Sequence, residues 1–237
     1  MIIPAVNEAA SLPRLLEALL RGAPSGDRPD EVFVVDGGSS DGTPALAAER
    51  GARLLCAERG RGLQMAAGAR AARSDVFLFL HADSCPEPGA LAALRSAFRD
   101  PALVATGMRQ RVEGRGLFYR LVEWMADFRV RRQGIVYGDS GLGARREAYF
   151  AVGGFADLPL FEDVDLSRRL REHGPVRWVP GAGLRISPRR WQAEGALRRT
   201  VKNWMLRMAY AVGADPVRLA RFYAPHDAPA AQRAEPS

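Results

Sequence analysis

The sequence predicts an α/β protein built on a mixed, mostly parallel sheet flanked by helices. Two observations carry that expectation. Short apolar runs alternate with helical patterns through the first half of the chain, at the pitch of successive βαβ units. Runs such as VFLFL are apolar throughout, as in strands covered on both faces. A chain of 237 residues, 47% hydrophobic and 26% charged, is also long enough to bury its apolar surface without disulfide staples.

The elements follow in order. Ile2 and Ile3 form a first strand, and LPRLLEALLR (12–21) reads as a helix with Ser11 as its N-cap. GAPSGDRPD (22–30) is a surface loop rich in turn formers. EVFVVD (31–36) is the second strand, followed by a helix from about Thr43 to Arg50. ARLLCA (52–57) is the third strand and GLQMAAGARAAR (62–73) its helix; DVFLFL (75–80) and PGALAALRSAFR (88–99) complete the alternation.

The second half is less regular. A helix over 116–132 places Leu117, Leu121, Trp124, Met125 and Phe128 on one stripe. Another over 196–212 does the same with Leu197, Val201, Trp204, Met205, Met208 and Val212. Both carry arginines opposite the stripe. Peripheral contact with a membrane surface is one explanation; packing against the sheet is the commoner cause and is the expectation here. Residues 225–237 read as a disordered tail, leaving one domain over 1–224.

The net charge is +7, yet Lys202 is the only lysine. Arginines are scattered singly as solvated helix faces, so no nucleic-acid partner is expected. Cys56 and Cys85 have neither a disulfide framework nor metal-ligand spacing. No stretch approaches the ~20 apolar residues of a membrane span. The chain starts at once with a strand, MIIP, so no signal peptide is expected, and the cysteine usage makes a reducing cytoplasm the expected location.

In an open parallel sheet, ligands bind beyond the carboxyl ends of the strands. Three such ends are polar: PAVNE (4–8), VVDGGSSDGT (34–43) and LHADS (80–84). If their strands are neighbours, Asn7, Glu8, Asp36 and Asp83 converge. Singly, each reads better as a cap or turn residue; together they suit a hard divalent cation on substrate phosphates and a nucleobase contact. RGRGLQMAAGA (59–69) lets backbone amides and Arg61 approach a diphosphate. Downstream, Glu162, Asp163 and Asp165 open a helix anchored by Leu166 and Leu170. Acids there offset the helix dipole or supply a general base. In SPRRW (187–191), Arg189 and Arg190 beside Trp191 suit either a departing phosphate or a structural ion pair.

These segments, over Met1 to about Trp191, resemble the family 2 glycosyltransferases of A-type fold. IIPAVNEAASL is similar to that family's first strand and turn, and VVDGGSSDGT to its V-D-D-G-S-x-D-G-T. GRGLQMAAGARAARSDVFLFLHADS resembles the Gly-rich helix leading to the D-x-D strand. VGGF and EDVDLSRRL resemble its acceptor-side motifs, and SPRRW a reduced Q-x-x-R-W with Ser187 for the glutamine. HAD, RGRGLQM, GDSG (138–141), LPLFEDVDL and SPRRW together resemble a bacterial subgroup labelled by association with radical-SAM enzymes and arsenosugar biosynthesis.

The resemblance implies a nucleotide-binding half over about 1–110 and an acceptor-side half over 111–224. It implies a nucleotide-sugar donor, UDP-sugar first, bound by Pro4, Asn7, Glu8, Asp36, Arg61, Ala82 and Asp83. Asp83 would hold Mg²⁺ or Mn²⁺ on the diphosphate, and Asp163, beside Glu162, would act as base for an inverting displacement. Asp139, Arg190 and Trp191 would line the acceptor and diphosphate side, receiving a small-molecule or lipid-linked acceptor. Three positions depart from the pattern: His81 replaces the first Asp of D-x-D, Gly37 the second Asp of V-D-D, and Ala66 an asparagine. His81 is then a ligand contact or a hydrogen-bonded strand-end residue. Two rival readings are a sugar nucleotidyltransferase, whose Gly-rich loop should follow the first strand where PAVNE stands, and a non-catalytic polyanion-binding module.

Overall fold

The computed structural model describes residues 1–223; the tail expected over 225–237 lies outside them, as do the side chains of Ser25 and Arg190. Strand β1 (Ile2–Ala5) leads to α1 (Leu12–Leu16), which runs on as a π-helical stretch, Glu17–Arg21. Strand β2 (Phe33–Asp36), helix α2 (Thr43–Glu49), strand β3 (Arg53–Cys56), helix α3 (Arg61–Ala71) and strand β4 (Val76–Phe79) follow in alternation. Then come β5 (Ser84–Pro86), α4 (Ala90–Ala97), β6 (Ala105–Val112), α5 (Leu117–Gln133), β7 (Leu142–Arg145) and α6 (Arg146–Ala151). The described chain closes with α7 (Glu162–His173), β8 (Val176–Ile186), α8 (Arg189–Glu194), α9 (Ala196–Ala211) and α10 (Pro216–Ala220).

The sheet order is β3-β2-β1-β4-β7-β6-β8-β5. β3, β2, β1 and β4 are mutually parallel, β7 runs against both β4 and β6, and β6 and β8 are again parallel. The three polar strand ends therefore belong to adjacent strands. Successive strand residues point to opposite faces, and the two faces carry separate cores. Ile3, Val34 and Leu80 pack with Leu12 and Leu15 of α1 and Leu91 and Leu94 of α4. Ile2, Val35 and Phe77 pack with Met65 and Ala69 of α3 and Leu166 and Leu170 of α7. Helix α3 lies so close to the sheet that a Cβ on Gly68 would stand 2.5 Å from Ile2 Cγ2.

Two expectations need correction. Ser11 stands at the N-cap of α1 without a side-chain cap bond; its hydroxyl instead accepts from Arg189 Nη1 at 3.0 Å. The apolar stripes of α5 and α9 do not pack against the sheet. Helix α5 turns Glu123, Ala126 and Val130 inward. Val130 occupies the space a Cβ on Gly107 of β6 would need, and Glu123 accepts from the Val112 amide at 2.7 Å. Helix α9 seats through Arg199 and Leu206, the latter in a small core with Leu160, Phe161 and Leu219. Both helices are anchored by one face, so the stripe is left outward: Trp124 is 62% and Trp204 52% exposed. Among the described residues no helix is long and apolar enough to cross a membrane, and Cys56 and Cys85 are free thiols.

Candidate active site

The carboxyl ends of β1 and β4 open into two adjoining hollows that share Arg61, His81 and Tyr223. One is walled by Pro4, Glu8, Gln64 and Ala82. The other is walled by Asp83, Asp139, Asp163 and Trp191, and by Arg199, Asn203 and Arg207 of α9. Asp83 and Asp163, with β5, β6 and β7 between them in sequence, thus face the same space.

The Asp163 bank begins with a twisted residue. Phe161 adopts φ +66°, a left-handed conformation that costs a non-glycine residue on the order of 1 kcal/mol or more. It is held by stacking on Tyr210, ring centroids 4.8 Å apart. The twist sends Glu162 inward, where it is 1% exposed and pairs with Arg61 Nε at 2.9 Å. Burial pushes the Glu162 carboxyl above its ordinary range, against the pull of Arg61, and the neighbouring Asp163 adds to the rise. Asp163 accepts from the Gly138 amide at 2.5 Å through Oδ2 and from the Val164 amide at 2.7 Å through Oδ1. Each oxygen keeps a second lone pair for a ligand proton. Beside it, Asp139 accepts from the Ser140 hydroxyl at 3.2 Å, and the Arg129 guanidinium lies 3.5 Å over the Tyr137 ring.

The Asp83 bank is organised by Arg189. Its Nη2 reaches Glu8 Oε1 at 2.9 Å and Asp83 Oδ2 at 3.2 Å, tying the ends of β1 and β4 to α8. Of the two readings of SPRRW, Arg189 takes the ion-pair one. Burial raises the Glu8 carboxyl, with Arg189 pulling it back down. Among the described residues no three His, Cys, Asp or Glu converge as an all-protein metal cage. A cation bridging substrate phosphates needs only one or two carboxylates. Asp83, which already draws a guanidinium to 3.2 Å, fits that lesser requirement.

The remaining expected residues lie as follows. Asp36 is buried in its own turn, accepting from the Gly38 and Ser39 amides at 2.9 and 3.0 Å. Asn7 braces that turn, its amide donating to Ser39 Oγ at 2.9 Å and its Oδ1 accepting from the Ser40 amide at 2.8 Å. Neither lines the two hollows. Trp191 packs edge-on against Tyr119 at the rim. Arg190 lies in α8, with its side chain outside the described residues. Sequence reasoning missed Gln64, Tyr137, Tyr223 and the α9 residues Arg199, Asn203 and Arg207. Their one sequence signal was the four-residue recurrence 199, 203, 207 on the side of α9 away from its apolar stripe.

This architecture is shared with solved glycosyltransferases. A mannosyltransferase from Pyrobaculum calidifontis, in complex with GDP-Man and Mn²⁺, superposes with TM-score 0.68 at 20% identity, over 93% of this chain and 67% of that one. Glucosyl-3-phosphoglycerate synthase from Mycobacterium tuberculosis, in complex with Mn²⁺, UDP and phosphoglyceric acid, superposes with TM-score 0.62 at 19% identity, over 90% of this chain and 78% of that one. At those identities the likeness establishes the fold. The family follows from sequence: residues 1–155 match the model of glycosyl transferase family 2, and the chain belongs to that family. Uncharacterised glycosyltransferases of Mycobacterium bovis and Mycobacterium tuberculosis are 34% identical over 115 residues, 48% of this chain. The chain spans about half the length of these curated relatives, 50% of each being covered.

Proposed function

We propose that this protein transfers a sugar, with inversion, from a nucleoside-diphosphate sugar, UDP-sugar first, to an acceptor admitted beside Asp139 and Trp191. The observation that carries the reading is the shared hollow: Asp83 and Asp163 both line it, with Arg61 between the two spaces. The nucleotide would lie against Pro4, Glu8 and Ala82, with Arg61 reaching its diphosphate. Asp36 and Asn7 serve it by fixing the turn beyond β2. Asp83 would hold Mg²⁺ or Mn²⁺, which when bound neutralises charge on the leaving diphosphate. Asp163 takes the acceptor proton, its orientation fixed by the two amide donors. Glu162 keeps the Arg61 guanidinium aimed.

The test is single turnover with Asp163→Asn. Binding of UDP should persist while transfer falls by about 10² or more, the usual worth of a general base. Transfer at the wild-type rate would remove Asp163 from the role.

A further inference from the structure

Helix α9 has two faces of opposite use. Arg199, Asn203 and Arg207 look into the hollow, while the opposite side is a continuous apolar stripe open to solvent from Leu197, 72% exposed, to Val212, 81% exposed. Helix α5, seated on β6 by its inward face, also has a bare side, where Trp124 stacks on Phe128 with ring centroids 5.5 Å apart. The two helices meet the same rim: Arg129 of α5 and Arg207 of α9 lie over the Tyr137 ring at 3.5 and 5.1 Å. Exposed apolar patches of this extent on a soluble fold mark an interaction surface.

The charge pattern selects the occupant. On helix α9 (ALRRTVKNWMLRMAYA), Arg199 and Arg207 face the hollow, which leaves the exposed Arg198 and the half-buried Lys202, the only lysine of the chain, beside the stripe, and the helix carries no acid. Helix α5 ends in Arg131 and Arg132, and beyond α9 Arg218 and Arg221 stand between the exposed Val217 and Phe222 in sequence. Apolar stripes with tryptophan, bordered by cations, suit a helix lying in the headgroup layer of an anionic bilayer. A second copy of the chain would set these cations against their own kind.

We propose that the bare faces of α5 and α9 dock this protein on an anionic lipid surface. The stripes enter the headgroup boundary and the cations meet lipid phosphates. The acceptor-side hollow then opens at the membrane, so that an acceptor anchored in lipid reaches Asp163 along α9; this last clause alone rests on the proposed function.

The test reads binding without turnover. The full chain is floated with vesicles of phosphatidylcholine, or of phosphatidylcholine with phosphatidylglycerol, and UDP binding is measured in parallel by calorimetry. Wild-type protein should float with the anionic vesicles and not with the neutral ones. Trp204→Glu with Met205→Glu, and separately Leu121→Glu with Trp124→Glu, should each weaken flotation about tenfold or more, since each removes buried apolar area and adds repelled charge. These side chains are exposed, so thermal unfolding and UDP affinity should be unchanged. Absence of flotation, equal flotation by the variants, or equal flotation with neutral vesicles would overturn the proposal. So would a wild-type dimer that the same variants render monomeric and that ignores vesicles. A failure here with UDP binding intact leaves the proposed function standing; loss of UDP binding with flotation intact does the reverse.

Discussion

The backbone amide of Gly138 donates to Asp163 Oδ2 at 2.5 Å, and a Cβ at Gly138 would stand 2.6 Å from His81 Nε2. Gly138 is therefore the spacer between the end of β4 and the start of α7. A Cβ there would crowd His81 on one side and Asp163 Oδ2, 3.2 Å away, on the other, so one of the two must shift to admit it.

Gly138→Ala should push His81 or Asp163 out of line. A displacement near 1 Å at a reacting group costs about 10² in rate, so kcat should fall by that order while unfolding free energy falls by about 1–3 kcal/mol. Adding His81→Ala should recover stability, read by urea unfolding. A double variant no more stable than the single one would mean that His81 is not what the methyl meets.

Arg189 bridges Glu8 and Asp83 where the cation would sit. Arg189→Met should let Mn²⁺ bind the protein without nucleotide about tenfold more tightly, a change of about 1.4 kcal/mol. Asp83→Ala should instead abolish the Mn²⁺ dependence of UDP affinity. Calorimetric titration of both variants checks this; Mn²⁺ affinity unchanged in Arg189→Met would separate the guanidinium from the metal position.

Burial raises Glu8 above its ordinary value of 4.5. The folded state then holds that proton more tightly than the unfolded chain does. Its contribution to stability is present below the ordinary value and is lost as pH rises through the raised one; Glu162, raised by the same cause, acts in the same direction. The stability of wild type relative to Glu8→Gln, read as the difference of their urea midpoints, should therefore fall as pH rises from about 4 to 7. Parallel slopes would show that Glu8 titrates alike in both states.

Gly68→Ala should cost about 1–3 kcal/mol by overpacking α3 against Ile2 and Val35. Both neighbours are β-branched strand residues with little rotamer freedom. Pairing it with Ile2→Ala, which removes the Cγ2 in the way, should make the two changes less than additive in thermal unfolding.

The first half of this fold was legible because buried parallel strands are written as unbroken apolar runs and their ends as abrupt polar residues. The later strands are not written that way. β6 is ATGMRQRV and β8 is VRWVPGAGLRI, and their pairing shifts register between Met108 and Arg109. Arginine, proline and glycine there hide the strand pattern. Periodicity found α5 and α9 and their apolar stripes, yet it carries no information on which face meets the protein. That depends on where Arg199 and Leu206 find partners. Arg189 meets Glu8 across 181 residues, a relationship fixed by sheet order and invisible to local reading.

Among the described residues only Asn7 and Phe161 are non-glycines in the left-handed region, at φ +53° and +66°. Each directly precedes a buried glutamate, Glu8 or Glu162, that is claimed by a distant arginine, Arg189 or Arg61. A short peptide cut from either segment would relax out of that twist, since nothing local compensates it. The aim of both acids is thus a property of the finished tertiary structure. Partial unfolding at either bank should spoil the pair of turns well before the sheet itself gives way.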